Sequence, residues 1–204
     1  AIVGSTDAQF RDRLSSGAAL NTSAGRWRGK ARLVEDLNIG FLFAGQGSQY
    51  VNMGRALYET CADFRGLLQQ CDRLLRGHLD RPLLDVMFAG AGDEALIHRT
   101  EYAQPSLFAL EYSLAELLRT WGIRPRYVLG HSIGEYAAAC IAGVFGLEEG
   151  IALAAARGRL MQNLPGDGRM LAVTGKIEDV TRLLGPFSSK VSIAAINTPL
   201  QVVL

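Results

Sequence analysis

Gly130-His131-Ser132-Ile133-Gly134 follows the apolar run Tyr127-Val128-Leu129 and precedes an alanine-rich stretch. A G-x-S-x-G placed between a strand and a helix restricts the fold sharply. The serine must sit on a tight strand-to-helix turn at the end of a sheet, and its flanking positions must be small enough for strand and helix to touch. An α/β architecture with strand, elbow and helix at its centre is therefore expected, with Ser132 as candidate nucleophile. Such an elbow also aims the backbone N–H of Ile133 at a developing oxyanion. A serine needs a base, yet none of the 72 residues after Ser132 is a histidine. The chain is expected to hold only part of a site.

Residues 1–14 read as a strand and a short helix, with Ser5, Thr6 and Asp7 able to cap its first turn. The stretch SSGAALNTSAGRWRGK (15–30) has no periodicity and reads as a linker. A buried-strand pattern resumes at Ile39–Phe43, which places the start of the main domain near Leu37. It runs into Gly45-Gln46-Gly47-Ser48-Gln49, a loop whose glycines allow close backbone approach and which could bring a second oxyanion donor to the elbow. Apolar residues at 64, 67, 68, 71, 74 and 75 have the spacing of a helix with one buried face. A further helix is expected from Pro105, with Gly122 and Pro125 ending it. Residues 127–130 should form a short buried strand. After a helical stretch over 147–164 and the loop 165–168, the pattern changes to strand, helix, strand and strand, the start of a small α+β subdomain.

Arg157 has Leu153, Ala154, Leu160 and Met161 at the three- and four-residue positions of a helix. A guanidinium on such a face keeps its charge and suits a carboxylate, either of a substrate or of a buried Asp or Glu. His131 neighbours the nucleophile, but adjacent side chains diverge at a tight turn. It is expected to be a structural or hydrogen-bonding residue rather than the base. His78 and His98 lie in polar surroundings, read as surface residues, and offer no metal pair.

With 21 basic and 20 acidic residues the net charge is +1, which gives no general attraction to nucleic acid or to acidic membranes. The most apolar stretch, 137–156, is broken by Glu148, Glu149 and three glycines and makes a poor membrane span. Cys61, Cys71 and Cys140 are odd in number and lack C-x-x-C spacing, which argues against a disulfide framework and fits a reducing cytoplasm. The opening on a strand-like run and the ending on QVVL suggest a piece of something longer.

Taken together, Gly45-Gln46-Gly47-Ser48-Gln49, Tyr102-Ala103-Gln104-Pro105, Gly130-His131-Ser132-Ile133-Gly134-Glu135-Tyr136, Arg157 and Asn197-Thr198-Pro199 resemble the acyltransferase domain of modular polyketide synthases, the family that includes the malonyl-CoA:acyl-carrier-protein transacylases. The resemblance runs from about Ile39 to Leu204. It implies an α/β-hydrolase-like large subdomain with a short parallel sheet over 39–168. Residues 169–204 would begin an inserted ferredoxin-like α+β small subdomain, left incomplete, and residues 1–38 would end a ketosynthase-to-acyltransferase linker. By the resemblance, Ser132 attacks an acyl-CoA thioester and passes the acyl group to the phosphopantetheine thiol of an acyl carrier protein. Gln46 and Ile133 supply oxyanion donors, Arg157 grips the malonyl carboxylate, and Gln104, His131 and Asn197 line the substrate site. No permanently bound cofactor and no metal are implied. Malonyl-CoA is the substrate, and the partners are the carrier protein, the ketosynthase and the rest of the module, together with a missing C-terminal part of the acyltransferase. The family's histidine base falls in that part. Ile133 and Thr100–Pro105 resemble malonyl-specific members more than methylmalonyl-specific ones. The alternatives are a serine esterase or thioesterase of α/β-hydrolase type, against which the loop at 45–49 and Arg157 speak, and an inactive structural fragment of a synthase.

Overall fold

The computed structural model describes residues 6–15, 38–90, 93–165 and 168–204. The strand expected at the extreme N-terminus, the linker and the centre of the 165–168 loop lie outside the described residues. Helix α1 (Asp7–Ser15) starts as the sequence suggests, because the Thr6 hydroxyl accepts the Gln9 N–H at 3.2 Å.

Strand β1 (Gly40–Phe43) pairs in parallel with β2 (Tyr127–Gly130), in register from Gly40 opposite Tyr127 to Phe43 opposite Gly130. Parallel neighbours need a long crossover. It is supplied by α2 (Arg55–Thr60), α3 (Ala62–Leu75), α4 (Leu83–Met87), a single 3-10 turn at Leu96–His98, and the 21-residue α5 (Thr100–Thr120). Helices α6 (Gly134–Ile141) and α7 (Leu147–Gln162) follow β2. The mixed α/β fold with a short parallel sheet is as the sequence implies.

The periodicity read on α3 is the core-forming one. Phe64, Leu68, Cys71 and Leu75 are buried to 1% exposure or less, packing in one cluster with Leu83, Met87 and Phe108. Burial pushes the Cys71 thiol up to about 12, so it packs as a small apolar group and not as a nucleophile. Asp72 is also buried on α3; its carboxylate accepts the Leu84 N–H at 3.2 Å and holds the first turn of α4 against it.

Two expectations change. Helix α5 begins at Thr100, and Pro105 lies inside it. Residues 100–104 wind because the Arg99 carbonyl accepts the N–H groups of Tyr102 and Ala103, and because α7 packs on that first turn where Gly158 presents no side chain. A Cβ at Gly158 would stand 2.9 Å from the Thr100 carbonyl oxygen. The second change concerns β1 and β2, which read as buried runs. Leu42 is 80% exposed and Leu129 66% exposed, because among the described residues helices cover only one face of the two-stranded sheet.

The described residues divide into two compact units at Arg159/Leu160, within α7. In the second, β3 (Ala172–Thr174), α8 (Ile177–Leu184), β4 (Ala195–Thr198) and β5 (Gln201–Val203) follow in the expected order. The strands form an antiparallel sheet in the order β3-β5-β4. Among the described residues no helix is long and apolar enough to cross a membrane.

Candidate active site

Ser132 adopts φ 54°, left-handed backbone that a side-chain-bearing residue enters only when its surroundings force it. What forces it is the contact between β2 and α6. A Cβ at Gly130 would lie 2.2 Å from the Glu135 N, and one at Gly134 would lie 2.5 Å from the carbonyl oxygens of both Phe43 and Ala44. The two glycines of the motif thus let the chain reverse over its own strand and let α6 press on the end of β1. The serine is left at the apex.

Because Phe43 lies opposite Gly130, the loop after β1 and the elbow after β2 leave the same, carboxyl end of the sheet, where open α/β folds place their ligands. They are tied directly. The His131 N–H donates to the Phe43 carbonyl at 3.0 Å, and a side chain at Gly45 would meet the His131 ring at 2.5 Å. His131 therefore sits against the 45–49 loop. The Glu111 carboxyl on α5 accepts the Ala44 N–H at 2.6 Å. Burial, opposed only by this hydrogen bond, moves the Glu111 carboxyl up to about 7.

Arg157 reaches into the same place from α7. One guanidinium nitrogen donates to Gln104 Oε1 at 2.6 Å and another to Ser132 Oγ at 3.3 Å, with the Tyr136 ring centroid 5.8 Å from the guanidinium carbon. Gln104, fully buried on α5, donates to Gln46 Oε1 at 3.4 Å, and Gln46 Nε2 donates to Thr100 Oγ1 at 3.0 Å. A chain of side chains thus runs from the start of α5 through two amides to the guanidinium and the nucleophile. No carboxylate pairs with Arg157 among the described residues.

The surroundings of Arg157 differ from the sequence reading. Leu153, Leu160 and Met161 are exposed by 43%, 69% and 42%, and the buried face of α7 runs instead through Gly150, Ala154 and Gly158, whose small side chains admit α5. Arg157 is half-buried beside that face and bonded to a neutral amide. Of the residues singled out in the sequence, Ser132, Arg157, Gln104, Gln46 and His131 come together in the first unit, with Ile133 fully buried beneath the elbow. Asn197 lies on β4 in the second unit. His78 and His98 are exposed. Sequence reasoning quoted Thr100 and Tyr136 within motifs without giving either a role in the site, and did not single out Glu111. The four-residue spacing from Ser132 could have drawn attention to Tyr136. Thr100 was hidden by the expectation that α5 began at Pro105, and Glu111 by looking like one more solvated helix carboxylate.

Residues 40–204 match the acyl transferase domain family, and the chain belongs to it. It is 45% identical over 204 residues to the polyketide synthase GfsB of Streptomyces halstedii, matching all of this chain and 4% of that protein. It is 49% identical over 168 residues to the mycoketide-CoA synthase of Mycobacterium tuberculosis, matching 80% of this chain and 4% of that one. Among solved structures it resembles the acyl transferase domain of ZmaA, with TM-score 0.74 and 40% identity over 83% of this chain and 40% of that one. It also resembles the malonyl-CoA:ACP transacylase of Synechocystis sp. PCC 6803, with TM-score 0.71 and 35% identity over 82% of this chain and 54% of the other. The chain thus spans a small part of its curated relatives and about half or less of these solved chains.

Proposed function

We propose that this chain is the nucleophile-bearing portion of a polyketide synthase acyltransferase that loads malonyl from CoA onto an acyl carrier protein. Ser132 Oγ attacks the thioester carbonyl and its proton passes to a histidine outside these residues. The tetrahedral oxyanion is held by the backbone N–H groups of Gln46 and Ile133, the coenzyme A thiol leaves, and malonyl remains as an ester on Ser132. The phosphopantetheine thiol of the carrier protein then attacks that ester and frees the serine. No permanent cofactor takes part.

One observation carries the reading. Arg157 presents a guanidinium within hydrogen-bond reach of the nucleophile, and no carboxylate among the described residues neutralises it. A charge left unpaired beside a nucleophile suits a substrate that brings its own carboxylate. Gln104 holds one edge of the fork, which limits the side-chain entropy lost when malonyl binds. His131 completes our reading of the substrate site within the first unit.

We read residues 39–168 as an α/β-hydrolase-like large subdomain, 169–204 as the start of a ferredoxin-like small subdomain, and 1–38 as the end of a linker from a ketosynthase in the same cytoplasmic module. The uncovered face of β1 and β2 is the place for the remainder of the acyltransferase to pack, since parallel sheets are covered on both faces.

The test uses the complete acyltransferase domain with malonyl-CoA and a carrier protein bearing phosphopantetheine. Malonyl should accumulate on the carrier faster than free malonate is released. Release of malonate at the same rate with and without carrier, together with hydrolysis of neutral esters, would instead define a serine esterase.

A further inference from the structure

We propose that Glu111 is a positioning residue for acyl transfer, its carboxyl fixing the Ala44 N–H and through it the Gly45–Gln46 backbone that bears one oxyanion donor. This inference rests on the oxyanion role proposed above for Gln46.

Ala44 is the first residue past β1, and Gln46 follows two residues later. Glu111 Oε1 accepts the Ala44 N–H at 2.6 Å, an acceptor that α5 supplies across 67 residues of sequence. The same helix holds the Gln46 side chain at its first turn through Thr100. Helix α6 in turn presses Gly134 against the Phe43 and Ala44 carbonyls. Both helices therefore hold the root of the loop, and Glu111 is the polar part of that grip.

The setting is costly for a carboxyl group. Glu111 lines a cavity of about 230 Å³ whose other walls include Phe41, Phe43, Leu114 and Leu118, and its Oε2 is buried with no hydrogen-bond partner among the described residues. A buried oxygen without a partner carries a desolvation cost that a leucine or methionine at the same place would avoid. What the carboxyl gains in exchange is the Ala44 hydrogen bond. Oε1 can accept that N–H whether or not the group is protonated, so the positioning does not depend on charge.

Glu111→Met removes the acceptor and keeps the bulk, whereas Glu111→Gln keeps an acceptor oxygen. In the complete acyltransferase domain, the rate of malonyl-enzyme formation should fall about tenfold at saturating malonyl-CoA in Glu111→Met, because a displaced oxyanion donor acts on the transition state. The half-saturating concentration should change by less than about twofold, and Glu111→Gln should recover the rate to within about threefold. An unchanged rate in Glu111→Met, an effect on half-saturation alone, or a Glu111→Gln variant as slow as Glu111→Met would each overturn the proposal. Should Glu111→Met fail to fold, amide hydrogen exchange of the wild-type protein decides: the Ala44 N–H should exchange at least about a hundredfold more slowly than an open amide, and unprotected exchange refutes the grip. A wild-type protein that forms no malonyl-enzyme would count against the function proposed above, while the exchange measurement would still test Glu111.

Discussion

Arg157→Ala should lower malonyl loading by about 100- to 1,000-fold while leaving acetyl or propionyl loading within a few-fold of wild type. Removing one member of a desolvated, hydrogen-bonded charge pair costs about 2–5 kcal/mol, much of it from the charge left behind. Under the function we propose, that charge is the carboxylate of malonyl. A neutral acyl group has nothing to lose, and it gains when the guanidinium no longer donates to Ser132 Oγ at 3.3 Å. Arg157→Lys should recover little of the loss, because a point charge cannot bond Gln104 and a carboxylate in one plane as the guanidinium fork does. Acylation rates with the two classes of acyl-CoA measure the split, and equal losses for both would remove Arg157 from its role as carboxylate clamp.

Gly134→Ala should destabilise the protein by about 3 kcal/mol, at the upper end for an overpacked site. Alanine ordinarily favours a helix over glycine by about 1 kcal/mol, so the sign depends on space. At Gly134 the added Cβ meets two backbone carbonyl oxygens at 2.5 Å, and backbone cannot rotate aside as a side chain can. At Gly66 on α3 nothing lies within 4 Å, and Gly66→Ala should stabilise by up to about 1 kcal/mol. Denaturation midpoints of the two variants should move in opposite directions. A Gly134→Ala protein as stable as wild type would mean that α6 does not press on β1 as described.

The local parts of this site were legible because their causes are local. The G-x-S-x-G glycines announce a strand-to-helix contact that needs small residues, and Ser132 is held at φ 54° by that contact. The one-sided periodicity of α3 gave its buried face directly, and a single Thr hydroxyl marked the start of α1. What escaped the sequence depends on neighbours far along the chain. Pro105 looked like a helix start by its own chemistry, but the turn before it is set by Arg99 and by Gly158 of α7. Leu153, Leu160 and Met161 looked like the face of α7 around Arg157, yet the helix turns Gly150, Ala154 and Gly158 inward because that face has to admit α5. Glu111 carried no signal, since only the fold brings it to Ala44. The strands read as buried from composition, and their exposed residues follow from which faces this chain's own helices cover.

The most direct test of the central claim is a denaturing intact-mass measurement of the complete acyltransferase domain after brief exposure to malonyl-CoA, beside a Ser132→Ala variant. The expected result is one malonyl group on the wild-type protein, located on Ser132 by peptide mapping and absent from the variant. A malonyl adduct that persists in Ser132→Ala, or transfer to the carrier protein by that variant at the wild-type rate, would contradict covalent catalysis by Ser132.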